Sequence, residues 1–172
     1  MTECIAQSIA FWLIKKSEDE TLSLPVLKYS LSVILNLLFG ILLTCIFSLI
    51  TGEVTQALKS LLYFSLLRFF SGGFHFKSLD VCVVVSALLF SCVPLVPPME
   101  SYIVFILTTM SLLLILTLAP SMGENQPAGK RKIIYKITAV VIVSLNFFGL
   151  SQLYAITIFI QSLTLIPRRR GE

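Results

Sequence analysis

The sequence predicts an all-α fold: a polytopic helical membrane protein with about six transmembrane helices and a short interfacial helix ahead of them. Composition is the first sign. Of the 172 residues, 56% are hydrophobic and 13% are charged, about half the charged share of a soluble domain. Patterning is the second, because the apolar residues gather into runs near the roughly 17–25 residues that cross a bilayer as helix. The whole chain, residues 1–172, reads as one membrane-embedded domain: an interfacial helix at 4–16, a transmembrane bundle at 26–166 and a basic tail at 167–172. The formal net charge of +4 sits in short loops and at the ends. Basic residues there set orientation and are no sign of nucleic-acid binding.

Residues 4–16 form the first element, with Ile5, Ile9, Trp12 and Leu13 on one helical face and Lys15 and Lys16 closing it. This segment is too short to span, so it lies in the interface or packs as an extra helix. Its charges follow the apolar stretch, the reverse of a signal peptide's order. Spans are then expected at about 26–50, 54–70, 79–96 and 101–119. The turn Thr51-Gly52-Glu53 follows the first of these, Pro94, Pro97 and Pro98 stop the third, and Pro120 stops the fourth. Residues 133–167 are apolar but hold Asn146, Gly149, Ser151 and Gln152 at their middle. They read as two short spans, 133–148 and 150–166, with one long tilted helix as the alternative.

Orientation follows from the basic residues. With the N-terminus in the cytoplasm, Lys15, Lys16, Lys28, Arg68, Lys77, Lys130, Arg131, Lys132, Lys136, Arg168, Arg169 and Arg170 all fall on the cytoplasmic side, leaving only Lys59 of the 13 opposed. The expectation is six spans with both termini cytoplasmic.

Between the second and third spans lies RFFSGGFHFKSLDVC, which holds the chain's one histidine, His75, its one Gly-Gly pair, Gly72-Gly73, and Cys82. Polar and titratable groups at a bilayer boundary are costly and point to function. On one continuous helix His75 and Cys82 would share a face but stand about 10 Å apart, too far for proton transfer. A working pair needs a bend, and Gly72-Gly73 loosens the backbone there. Ser78 can cap a helix whose first turn contains Asp80 and Cys82. A cysteine so placed meets the positive end of the helix dipole, which favours thiolate, and His75 folds back as base. Asp80 either orients the imidazole or caps the helix. Cys45 and Cys92 read as small apolar residues, and no disulfide framework is expected among the four cysteines. One histidine and scattered acids build no metal site, and no phosphate-binding loop is present, so no metal or cofactor is expected.

The order and spacing of Arg68, Ser71-Gly72-Gly73, His75 and Cys82 between two spans resemble the signature of the accessory gene regulator B family, bacterial membrane cysteine peptidases of quorum sensing. Ala119-Pro120 followed by Asn125-Gln126-Pro127 resembles that family's second loop, with Gln126 where lysine is usual and Lys130-Arg131-Lys132 close behind. The resemblance implies a thiol protease of the bacterial cell membrane that cuts a propeptide near its C-terminal end. Cys82 is then the nucleophile and His75 the base. Cys82 holds the peptide as a thioester until a cysteine or serine of the peptide displaces it, closing a thiolactone or lactone autoinducer.

The family's propeptides carry an amphipathic leader and an acidic tail. Lys130, Arg131, Lys132 and Lys136 could hold that tail, or act only as topology determinants. Arg68, nearest the motif, could bind a substrate carboxylate or neutralise Asp80. Partners implied are the propeptide and the lipid bilayer, with a homodimer in keeping with the family and no nucleic acid. Another class of reading is the substrate-binding membrane component of a vitamin importer, in which His75 lines a ligand pocket. A structural membrane subunit is a third.

Overall fold

The computed structural model describes residues 2–16, 23–73, 79–121 and 129–166. Among these the ordered elements are helices: α1 (Thr2–Lys16), α2 (Leu24–Thr51), α3 (Val54–Ser71), α4 (Leu79–Cys92) with a 3-10 turn Val93–Leu95, α5 (Ser101–Leu118), α6 (Lys130–Ser144), the short α7 (Asn146–Gly149) and α8 (Gln152–Leu163). The punctuation has local causes. Pro25 sits in the first turn of α2, where its missing N–H costs nothing, and Gly52 ends that helix in the left-handed conformation at φ 77°. Pro94 falls in the 3-10 turn after α4.

Among the described residues, three segments are long and apolar enough to cross a membrane: Leu24–Thr51, Ser101–Leu118 and Lys130–Gly149. The apolar stretches Asp80–Leu95 and Gln152–Leu163 are shorter, and α3 carries Gln56, Lys59 and Arg68 among its 18 residues. The expectation of about six spans is therefore met in three helices by length and composition. The shortfall in α3 has a physical reason: it packs against α2, α4, α6 and α8, so much of its surface meets protein and can be polar.

Polarity is distributed as in a membrane protein. Ser32, Gly40, Thr44 and Ser48 form the buried side of α2, while Val33, Ile34, Leu37, Leu38, Ile41 and Leu42 face outward. Small residues let neighbouring helices approach where no hydrophobic force drives them together. There Ser91 Oγ of α4 reaches the Thr44 carbonyl at 3.4 Å. Two apolar clusters fill the interior. Leu67, Ile115, Val143 and Ile158 centre the first, joining α3, α5, α6 and α8. Leu61, Phe64, Phe90 and Val93 make the second, with the Phe64 and Phe90 rings 4.6 Å apart.

The expected break in the last apolar stretch is present, and it makes two helices rather than one. Buried Asn146 donates to Thr108 Oγ1 at 2.8 Å and accepts from the Ser151 N–H at 3.0 Å. Leu150 turns the chain at φ 41°, and Ser151 accepts from the Tyr154 N–H as the cap of α8. The Tyr154 hydroxyl donates to the Ile142 carbonyl of α6, while α8 packs along α5 and α3. At the other end of the chain, α1 packs on α2 through buried Ala6 and Ala10, with Lys28 Nζ donating to Gln7 Oε1 at 3.2 Å. Its packed face is these alanines rather than the Ile5–Trp12 stripe, and Ile5, Phe11 and Trp12 stay exposed.

Candidate active site

Cys82 occupies the first turn of α4 and is half-buried. Its side chain lines a cavity of about 320 Å³ between α3, α4 and α8. Arg68 lines the same cavity, one turn before the end of α3, with its guanidinium carbon 5.3 Å from the centre of the Phe64 ring. The remaining wall is mostly apolar: Val85, Leu89 and Phe90 of α4, Ile160 and Leu163 of α8, then Thr164 and Ile166 beyond it. A thiol and a guanidinium thus line one largely apolar cavity.

Gly72 and Gly73 form the exit from α3, at φ 72° and φ 130°, conformations that side chains rarely adopt. Far from being loose, this bend is held from two sides. The Gly73 N–H donates to the Ser121 carbonyl at 2.8 Å, and the Ser121 N–H donates to the Ser71 carbonyl at 2.9 Å. From α8, Gln161 Nε2 donates to the Gly72 carbonyl at 2.6 Å and to Ser71 Oγ at 3.0 Å. A Cβ on Gly73 would lie 2.5 Å from Thr164 Oγ1. The loop that follows Ala119-Pro120 is therefore bonded directly to the loop that follows Arg68.

His75 and Ser78 lie outside the described residues, as do Lys77 and Arg168 to Arg170. Asp80 is half-buried in the first turn of α4. Lys130, Arg131 and Lys132 open α6 and are exposed, and Lys136 is half-buried. Tyr135 packs against Phe69 and Phe70, at 6.3 and 5.8 Å between ring centres. The basic start of α6 and the Arg68 end of α3 are thereby neighbours. Cys45 and Cys92 are free thiols away from this cavity, and among the described residues no three potential metal ligands cluster.

Sequence reasoning passed over Gln161 and Thr164. The only signal was a buried-type glutamine in an apolar helix, and its partners stand 89 and 90 positions away.

The family model for Accessory gene regulator B matches residues 3–166. A curated protein of Halalkalibacterium halodurans named as AgrB-like is 27% identical over 174 residues, covering 97% of this chain and 88% of that protein. No solved structure matches the chain. The motif around Cys82, the loop bonded to it and the match over nearly the full length agree: this chain belongs to the accessory gene regulator B family, with the membrane setting and quorum-sensing role that the family carries.

Proposed function

We propose that the chain is a membrane cysteine endopeptidase that cleaves a quorum-sensing propeptide near its C-terminal end and lets it cyclise. The observation that carries this is the Cys82 thiol facing a largely apolar cavity beside Arg68, within the family's motif. His75 takes the thiol proton as Cys82 Sγ attacks the scissile carbonyl, then gives it to the departing amine. The acyl group rests on Cys82 as a thioester. A thiol or hydroxyl of the same peptide then attacks that thioester, closing a thiolactone or lactone and returning the proton to Cys82. Apolar walls keep water scarce, which favours ring closure over hydrolysis. Arg68 supplies positive charge for a substrate carboxylate or for the oxyanion that develops.

The start of α6 supports an acidic substrate. Three basic residues occupy its first turn, with no acid among them. Cations at the positive end of a helix dipole cost about 0.3–1 kcal/mol each. Local rules are broken in this way chiefly where function compensates, and an acidic propeptide tail would compensate. Six spans with both termini cytoplasmic would put these charges and Cys82 on the inner face of the bacterial membrane. The vitamin-importer reading gains nothing from the family match.

Processing of the cognate propeptide in proteoliposomes tests the assignment. Cys82→Ala and His75→Ala should yield no cleaved product, and Cys92→Ala should process normally. Full processing by either of the first two would end the reading.

A further inference from the structure

We infer that Gln161 is a positioning residue of the reaction, holding the chain that leads to His75 in register with Cys82; this rests on the peptidase reading above. Gln161 is fully buried in α8. Its amide nitrogen donates to the Gly72 carbonyl at 2.6 Å, while the N–H of the same Gly72–Gly73 peptide donates to the Ser121 carbonyl at 2.8 Å. One peptide plane, two residues before His75, is thus gripped at both edges, by α8 on one side and the 119–121 loop on the other.

The amide's orientation is settled by chemistry. The Gly72 carbonyl can only accept, so the side facing it must be the NH₂. The other side, Oε1, lies 3.2 Å from Thr164 Oγ1. Burying an amide costs free energy unless it is bonded, and an apolar residue here would leave the Gly72 carbonyl with only the longer 3.4 Å bond from Ser71 Oγ. The residues flanking Gln161 connect the grip to the chemistry. Ile160, Leu163 and Thr164 line the cavity that holds Cys82 and Arg68. One short segment of α8 therefore fixes both the wall beside the thiol and the exit of the chain toward the base.

The test is single-turnover formation of the propeptide thioester by purified full-length protein in proteoliposomes. Gln161→Met keeps the length of the side chain and removes its hydrogen bonds to Ser71, Gly72 and Thr164. Its rate should fall about 10²-fold, as for a displacement of roughly 1 Å at a catalytic group, with propeptide Kd changed less than about twofold. Thr108→Val serves as the comparison, since it removes an equally buried bond, to Asn146, remote from the cavity. It should lower the melting temperature to a similar degree and keep the rate. Equal rate losses in the two variants would make Gln161 merely structural and overturn the inference. A native rate in Gln161→Met with His75→Ala inactive would also overturn it, leaving the peptidase reading intact. A native rate in His75→Ala would instead remove the peptidase reading, and this inference with it.

Discussion

At the residue scale, two glycines with positive φ do different work. Gly52 turns α2 into α3 at φ 77°, with nothing within 4 Å of where a Cβ would stand, whereas at Gly73 that Cβ would strike Thr164 Oγ1. Gly52→Ala should cost only the left-handed penalty of about 1–2 kcal/mol. Gly73→Ala adds a collision with a side chain that is itself bonded to Gln161, and should cost about 1–3 kcal/mol more. Thermal unfolding of the two variants checks the order, which fails if Gly52→Ala is the less stable. The sequence marked the Gly-Gly pair as the bend before His75 but suggested slack, where the structure shows a clamp. Gly72, Ser121 and Gln161 meet only because three helices converge, and no local pattern encodes that convergence.

At the element scale, apolar runs and proline stops gave helix positions within a few residues, because bilayer length and the missing proline N–H act locally. Asn146 and Ser151 marked the turn before α8 for the same reason: each finds its partner within a few residues or on the adjoining helix. What periodicity could not supply was which face packs. The face of α1 that meets α2 is its alanines, since small residues permit the closest approach. The start of α6 carries a prediction of its own. Replacing Lys130, Arg131 and Lys132 together by glutamine should stabilise the helix by about 1–3 kcal/mol through the dipole. The same change should raise KM for an acidic propeptide roughly tenfold at low salt, with the difference shrinking as ionic strength rises. Steady-state kinetics at two salt concentrations, with a melting curve, measure both effects. Unchanged KM at low salt would leave these residues as topology determinants alone.

At the scale of the whole molecule, the arrangement inverts that of a soluble protein. Among the described residues, serine, threonine, asparagine and glutamine account for the buried polar positions, while leucine, isoleucine, valine and phenylalanine cover much of the outside. Lipid explains both halves: it solvates the aliphatic surface and leaves polar groups to find one another within the bundle. In that setting α3 can carry Arg68 to the Cys82 cavity because other helices surround it. This was partly readable beforehand, since Arg68 stands at the end of an expected span, but the central place of α3 is a property of packing among distant segments. The proposed mechanism turns on Cys82 holding the propeptide as a thioester. Intact-mass spectrometry of protein quenched in acid during turnover reads that intermediate itself. An adduct of the cleaved peptide should appear on Cys82, be released by hydroxylamine and be missing from Cys82→Ala; processing by Cys82→Ala, or an adduct on any other residue, would refute the mechanism.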